Sequence, residues 1–218
     1  MVTSVTERPP VPGGVIAVVR AATAAEARTI VHGLTRAGVP AVELTMTVPD
    51  AVRIIAEFAG SGSMSGTVLG TVLGAGTVLD PAEAGACARA GARFLVSPVT
   101  DAAVLAEAHR CGVPYVGGAL TPTEVLASMR AGSDAIKLFP VGSMGGAGYL
   151  RALREPLPGL RAVVSGGIAA GDVGDYLAAG AHAVCLGGAL IDREAAGRGD
   201  ADGVAAWARA ALDRIGGR

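Results

Sequence analysis

Short apolar runs recur along this chain, separated by segments whose apolar residues have helical spacing. A buried strand of a parallel sheet typically forms a continuous apolar run of about four to eight residues. The pattern predicts eight strands, at residues 14–19, 41–46, 71–78, 93–99, 113–119, 134–140, 161–167 and 182–188. Strand and helix are therefore expected to alternate along the whole chain.

Glycine marks the junctions between the predicted helices and strands. A glycine followed by an apolar run occurs in RAGVPAVEL, RAGARFLVS, RCGVPYVGG, RAGSDAIKL and AAGAHAVCL. Glycine just past a helix end adopts the left-handed backbone that terminates the helix. Segments such as TPTEVLASMRAG also open with the residues that favour helix N-termini. Each junction predicts a step from helix to strand.

This order of elements predicts an α/β protein with a closed (β/α)8 TIM barrel. Alternating units require a mostly parallel sheet, and eight units in about 200 residues match that barrel in number and size. An open doubly wound sheet is the alternative. We expect residues 1–12 to form an N-terminal extension and residues 13–218 to form a single domain. The glycine-rich residues 59–66 predict a flexible loop before the third strand.

Composition narrows the possible partners. The 218 residues are 51% hydrophobic, while a net charge of −1 and 3% aromatic residues argue against binding to nucleic acid. No apolar run approaches the length of about 20 residues that spans a membrane, and the N-terminus lacks a secretory pattern. The three cysteines, Cys87, Cys111 and Cys185, are predicted to be buried free thiols. We expect a cytoplasmic protein without a metal site.

Lys137 is the single lysine among the 18 basic residues of the chain. It lies in the sixth predicted strand, where Ile136 and Leu138 suit the side that faces the helices. Alternate residues of a barrel strand point inward, so Lys137 is predicted to face the barrel interior. The same alternation turns Glu43 of the second strand inward. The sequence therefore predicts a lysine and a glutamate inside one barrel.

Two interpretations fit this pair. Burial disfavours a charged ammonium group, and a neutral amine attacks a ketone to form an iminium while a nearby carboxylate moves protons. Alternatively, the two side chains form an ordinary ion pair. Arginine occupies every other basic position and would serve such a pair better, but it cannot deprotonate to attack a carbonyl. The pattern therefore favours Schiff-base aldol chemistry.

Glycine pairs follow the seventh and eighth predicted strands. Phosphate sites of TIM barrels characteristically form there, from backbone amides and helix N-termini. The candidate phosphate-binding residues are Ser165, Gly166, Gly167, Gly187 and Gly188. Two tight turns without a ligand are the alternative. Arg20, directly after the first strand, is either a carboxylate-binding residue or a solvated arginine, and Thr77 is a candidate donor to the same group.

The motifs around these residues resemble those of 2-keto-3-deoxy-6-phosphogluconate and 2-keto-4-hydroxyglutarate aldolases, which are class I aldolases. They are VELTMTVP, GAGTVLD, FLVSPV, GGALTPTE, IKLFP, and SGG followed by LGG, and they extend over residues 15–190. The resemblance implies a homotrimer that cleaves a 2-keto-3-deoxy-6-phosphosugar acid of gluconate or galactonate type, or 2-keto-4-hydroxyglutarate. The products would be pyruvate and an aldehyde such as glyceraldehyde 3-phosphate. No metal or organic cofactor is implied.

The resemblance also implies a role for each candidate residue. Lys137 would form the imine, and Glu43 would transfer protons. Thr77 and Pro98 would belong to the pyruvate pocket, and Phe139 would pack beside the imine. The glycine turns would bind phosphate.

Several positions depart from the family pattern. Thr47, a further candidate substrate-binding residue, stands where gluconate-type enzymes often have arginine, whereas galactonate-type enzymes can use an arginine at the position of Arg20. Val99 and Gly117 replace a glycine and a proline, and Ala189 replaces a frequent serine. These changes leave the acceptor aldehyde open and allow a specialised pyruvate aldolase.

Other functions share some of these features. A phosphate-binding barrel isomerase or synthase would use the same glycine turns but would need no imine. A sensor of phosphorylated metabolites would bind its ligand without turnover. A carboxylate beside the lysine argues against such a sensor, because a binder of anions gains nothing from it.

Overall fold

A computed structural model of the protein describes residues 8–60, 67–68 and 70–216. The strands are β1 (Gly14–Val19), β2 (Ala41–Thr45), β3 (Thr67–Val68), β4 (Thr71–Gly76), β5 (Leu95–Val96), β6 (Tyr115–Ala119), β7 (Ala135–Leu138), β8 (Ala162–Val164) and β9 (Ala183–Leu186). All of these strands except β3 pair in parallel, and β1 joins β2 to β9 while β2 pairs with β4. The sheet is thus closed. The predicted barrel is confirmed, and the open sheet is wrong.

Helices surround this barrel. They are α1 (Ala24–Arg36), α2 (Ala51–Gly60), α3 (Pro81–Arg89), α4 (Ala102–Arg110), α5 (Pro122–Ala131), α6 (Gly146–Arg154), α7 (Val173–Ala178), α8 (Arg193–Gly197) and α9 (Ala201–Gly216). Helix α5 illustrates the local signals, since Thr121 and Glu124 form a reciprocal capping box at its start. Gly132 ends the same helix with a φ of 97°, a left-handed value that glycine adopts without strain. No helix in the described ranges is long and apolar enough to cross a membrane.

The sequence pattern located the strands better than their ends. The short strand β3, which pairs antiparallel with β4, was not predicted. Strand β5 has two residues where a longer run was predicted, because its ladder to β4 contains a single residue pair, Ala75 and Leu95. Ala59 and Gly60, predicted to begin a loop, end helix α2. Residues 61–66 of that predicted loop and residues 1–7 of the N-terminal extension lie outside the described residues.

Alternation along the strands divides the core into two parts. Between barrel and helices lie Val42, Leu44, Ile136 and Leu138 with many other aliphatic side chains. The interior cluster consists of Val11, Ile16, Val18, Ala41, Phe94, Val96, Val116, Ala135, Val163, Ala183 and Cys185. Ala41 and Ala135 belong to this interior cluster. The prediction that the odd-numbered residues of β2 and β7 point inward is therefore confirmed.

The N-terminal segment closes one end of the barrel. The side chain of Val11 is buried in the interior cluster, and its carbonyl oxygen lies 3.0 Å from Nε2 of His182 and 3.3 Å from Nη2 of Arg161. Arg8 forms an ion pair of 2.9 Å with Asp134, just before β7. Because this segment closes the barrel at the N-terminal ends of the strands, a ligand can reach the interior from the carboxyl ends of the strands.

Candidate active site

Lys137 and Glu43 meet inside the barrel. Nζ of Lys137 lies 3.2 Å from Oε1 of Glu43, and the side chains are 4% and 0% exposed. The two residues belong to β7 and β2, strands that are not neighbours in the sheet, so their side chains meet across the barrel interior. The sequence-based pairing of these two residues therefore has the geometry that was expected.

The carboxylate of Glu43 uses only one of its oxygens in this contact. Its Oε2 atom is buried without a hydrogen-bond partner among the described residues. Buried polar atoms are normally satisfied, and an exception calls for a reason such as a catalytic role or a bound molecule. A carboxylate with one open oxygen beside an amine can accept a proton from a substrate held in between.

Phe139 and Thr77 lie at the carboxyl ends of the strands that surround this pair. The ring centroid of Phe139 is 5.8 Å from Nζ of Lys137. Thr77, directly after β4, has a φ of 57°, in the left-handed region. A β-branched residue is a genuine outlier there, and such strain concentrates at functional sites. The strained backbone supports the choice of Thr77 as a site residue.

The residues predicted to bind phosphate line one cavity. Its volume is about 540 Å³, and its wall includes Arg20 and Phe139. Every member of the predicted set, Ser165, Gly166, Gly167, Gly187 and Gly188, is part of this wall. Both turns face the same space as an arginine. This arrangement favours an anion-binding site over the alternative of two unrelated tight turns.

Backbone geometry leaves donors free in this cavity. Gly166 and Gly167 have φ values of 91° and 73°, which side chains other than glycine rarely adopt. Within the described part of the chain, the amides of Gly167, Gly187 and Gly188 donate no hydrogen bond. Free amides next to an arginine form a site for an anion.

A second cavity, of about 520 Å³, opens on the other side of Phe139. Pro98, Val99 and Gly118 contribute to its wall. Val99 is 50% exposed, so this departure from the family pattern adds bulk at the rim of the cavity. A Cβ atom on Gly118 would lie 2.0 Å from the carbonyl carbon of Pro98, which explains the glycine at that position.

Gly117 lies on the opposite side of its strand from Gly118. A Cβ atom there would lie 2.7 Å from each of three hydroxyl oxygens, those of Thr100, Ser128 and Ser133. Ser128 accepts a hydrogen bond from Thr100 and lies 2.9 Å from the Ser133 hydroxyl. This hydroxyl cluster occupies the space beside Gly117, so the departure at Gly117 does not alter the interior of the barrel.

Thr47 has an exposed side chain with an internal partner. Its hydroxyl lies 2.8 Å from the hydroxyl of Thr45, which itself donates to the carbonyl oxygen of Val19. Because the Thr45 proton is already used, Thr47 is the donor in the shared bond. As a substrate-binding residue, Thr47 would therefore offer lone pairs and no free proton.

Comparison with known proteins places this arrangement in a family. The family model for KDPG and KHG aldolase matches residues 11–207. The chain belongs to the KDPG and KHG aldolase family.

Individual members of the family are similar over most of their length. A probable 2-dehydro-3-deoxy-6-phosphogalactonate aldolase of Rhizobium meliloti (strain 1021) is 36% identical over 84% of this chain and 84% of its own. A KHG/KDPG aldolase of Escherichia coli (strain K12) is 32% identical over 83% of this chain and 82% of its own. A solved structure of native KDPGal is 28% identical with a TM-score of 0.79, covering 96% of this chain and 99% of that one. The resemblance inferred from the motifs is thereby confirmed.

The cavity of about 540 Å³ that Arg20 and the two glycine turns line is called the anion cavity below, and two of its polar side chains were not predicted from the sequence of this aldolase. Cys185 and Arg193 line it together with the predicted residues. Alternation could have revealed Cys185, which lies two positions before Gly187 on the same face of β9. Burial first, and then the charge of Glu43, raise the pKa of the Cys185 thiol to about 12. Cys185 is therefore a neutral thiol at physiological pH. For Arg193, at the start of α8, the sequence carries no signal.

Among the described residues, the histidines and the remaining cysteines form no metal centre. Within the described ranges, no group of three or more His, Cys, Asp or Glu side chains could hold a metal ion. Cys87 and Cys185 are buried, as predicted, but Cys111 is half-buried. That part of the prediction is wrong because Cys111 caps the C-terminus of α4, where its side chain borders solvent.

Proposed function

We propose that this aldolase cleaves a 2-keto-3-deoxy-6-phosphosugar acid to pyruvate and glyceraldehyde 3-phosphate through an imine on Lys137. The observation that carries the proposal is the buried contact of Lys137 with Glu43. The closed barrel holds this amine beside the Glu43 carboxylate, and an amine in such a position is the nucleophile that forms an imine with a bound ketone. The carboxylate beside it supplies the base that bond cleavage requires.

Each step uses a group that is already in place. The amine of Lys137 attacks the C2 carbonyl carbon, and the resulting carbinolamine loses water to give an iminium. The carboxylate of Glu43 removes the proton from the C4 hydroxyl, the C3–C4 bond breaks, and the aldehyde leaves. The electron pair of that bond moves towards the iminium nitrogen and forms an enamine. Protonation of the enamine at C3 and hydrolysis of the imine release pyruvate.

The remaining residues divide between the two halves of the substrate. Thr77 and Pro98 line the pyruvate half, with the ring of Phe139 beside the imine. The glycine turns after β8 and β9 bind the phosphate. Arg20 was predicted from the sequence to bind a carboxylate, but it lines the same cavity as these turns, so we assign it to the phosphate instead. Thr47 takes a minor part, as an acceptor. The iminium itself is the electron sink, so the reaction needs neither a metal nor an organic cofactor.

Relatives named for both sugar epimers are similar to this chain. Galactonate-type members can lack the arginine at the position of Thr47 and use one at the position of Arg20. This chain has that combination, so we favour the galactonate epimer. 2-Keto-4-hydroxyglutarate is the candidate substrate without phosphate. A homotrimer in the cytoplasm remains the expected form of the protein.

Trapping with borohydride tests the imine. The protein is incubated with pyruvate and borohydride, and the modified peptide is identified by mass spectrometry. We expect a reduced pyruvate adduct on the peptide that contains Lys137. Because Lys137 is the single lysine, the N-terminal amine is the internal control for non-specific modification.

Variants of Lys137 separate the aldolase from other phosphate-binding barrels. Lys137→Arg keeps the positive charge, and Lys137→Met keeps the length without charge. Both variants should lose the adduct and essentially all cleavage while they retain the far-ultraviolet circular dichroism of the native protein. Residual turnover in Lys137→Arg would instead favour an isomerase or synthase that uses the cation for electrostatic support. The absence of an adduct on the folded native protein would contradict the proposal.

A further inference from the structure

The anion cavity contains a second arginine that the family resemblance does not account for. Arg193 is the first residue of α8, in the segment that follows the glycine turn of β9, and it lines the same cavity as Arg20. The carboxylate of Asp192 caps this helix by accepting hydrogen bonds from the amides of Glu194 and Ala195. The cap holds the backbone of Arg193 at the edge of the cavity.

Contacts of Arg193 use only one of its nitrogen atoms. Nη1 donates to the carbonyl oxygen of Arg20 and lies 3.3 Å from Oε1 of Glu26. A guanidinium group has five N–H donors, and the other two nitrogens of Arg193 have no partner in the described part of the protein. The side chain is 51% exposed, so these nitrogens are accessible to a ligand.

Charge in the cavity is strongly one-sided. Among the described residues that line it, Arg20 and Arg193 are charged and none is acidic. Glu26, which lies behind Arg193 and is 20% exposed, offsets part of the positive charge. A positive charge greater than that of one arginine suits a dianion, which a terminal phosphate is above its second pKa of about 6.

We propose that Arg193 binds the terminal phosphate of the substrate together with Arg20 and makes the enzyme selective for phosphorylated 2-keto acids. This inference rests on the proposed function, because it assigns the phosphate end of that substrate to this corner of the cavity. The selectivity has a simple physical origin. A carboxylate at the same position carries a single charge and pairs with one guanidinium, whereas a phosphate dianion engages both.

A merely structural role for Arg193 is the competing explanation. In that case the side chain would serve only to link the carbonyl of Arg20 to the carboxylate of Glu26. Its loss would then disturb the end of β1. The two roles differ in what they affect. Loss of a structural contact would lower the affinity for every substrate, whereas loss of a phosphate-binding residue would lower the affinity only for ligands that carry phosphate.

Arg193→Gln removes the charge while its amide can still donate to the Arg20 carbonyl. Arg198→Gln is the matched control, because Arg198 caps the other end of α8 and pairs with Glu194, away from the cavity. Three quantities are measured on the native protein and both variants. They are the kinetics of cleavage of the phosphosugar acid, the calorimetric affinity for glycerol 3-phosphate, and borohydride trapping of pyruvate.

Loss of a charge-assisted contact predicts a rise in KM for the phosphosugar acid of about 10- to 100-fold in Arg193→Gln. The affinity for glycerol 3-phosphate should fall by a similar factor, with kcat and pyruvate trapping close to those of the native protein. Arg198→Gln should match the native protein in all three. Native affinity for glycerol 3-phosphate in Arg193→Gln, or an equal loss of pyruvate trapping, would overturn the proposal.

The experiment keeps the two proposals apart. A native protein that traps no pyruvate would contradict the aldolase mechanism, and the glycerol 3-phosphate comparison would still decide the role of Arg193. A native protein that traps pyruvate but does not bind glycerol 3-phosphate would contradict the role of Arg193 alone.

Discussion

A Cβ atom on Gly76 would lie 2.0 Å from Oε1 of Glu43, the same oxygen that contacts the amine of Lys137. Gly76 ends β4 and pairs with Thr45 in the ladder to β2. Its missing side chain therefore creates the space in which the glutamate carboxylate lies. The position of the carboxylate depends on a residue that has no chemistry of its own.

Substitution Gly76→Ala should displace the Glu43 carboxylate. A misplacement of about 1 Å at a reacting group can cost about 100-fold in rate, so we expect kcat for cleavage to fall by about that factor. Overpacking should also lower the free energy of unfolding by about 1–3 kcal/mol. Gly148→Ala, in α6, is the control because its Cβ would have no atom within 4 Å. Native turnover in Gly76→Ala would show that Glu43 is not the base.

Thr77→Gly should separate stability from activity. Glycine removes left-handed strain of about 1–2 kcal/mol, while the greater entropy of the unfolded chain costs about 0.4–1 kcal/mol. The free energy of unfolding should therefore be unchanged or about 1 kcal/mol higher in denaturant titrations. Loss of the hydroxyl should weaken pyruvate trapping. A variant that is stable and traps pyruvate as the native protein does would exclude Thr77 from the pyruvate site.

Asp134 should make the fold sensitive to acid. Burial alone would raise the pKa of its carboxyl, but hydrogen bonds from the Tyr115 amide, His109 and Arg8 outweigh burial and lower that pKa. A lowered pKa in the folded state contributes stability above the ordinary value, and this contribution is lost as the pH falls towards the lowered value.

Asp134→Asn should lower the free energy of unfolding near pH 7 by about 1–3 kcal/mol. The difference from the native protein should shrink as the pH falls below about 4, because the carboxyl of the unfolded chain takes up its proton there and the folded carboxyl does so only at its lowered pKa. Urea titrations between neutral and acid pH measure both effects. Asp213→Asn, at an exposed position of α9, is the control. A difference that is independent of pH would refute the charge-based explanation.

The three cysteines should differ in reactivity. Burial first, together with the charge of Glu83, raises the pKa of Cys87 to about 12, and the pKa of Cys185 is raised to the same value. Iodoacetamide reacts with the thiolate, so at pH 8 it should label Cys111 in the folded protein and the other two only after unfolding. Peptide mass spectrometry with and without urea provides the comparison. Rapid native labelling of Cys185 would mean that the anion cavity opens further than the structure indicates.

The barrel could be predicted because its determinants are local and periodic. Apolar runs, helix caps and terminal glycines each act within a few residues, and they placed the parallel strands near their observed positions. Strand ends were less predictable, since the length of β5 depends on pairing with neighbouring strands. Strand β3 was missed for the same reason, because two residues carry no periodicity.

The sequence alone determined that Lys137 and Glu43 face one interior, because alternation along a strand is a local property. The single lysine among arginines can likewise be read directly from the sequence. Only the tertiary structure decided that Gly76 leaves room for that carboxylate, that the hydroxyl of Thr47 is already bonded, and that Arg193 joins Arg20 at one cavity. Each of these facts depends on distances between residues far apart in the chain. Such distances arise when the sheet closes, and no local pattern encodes them.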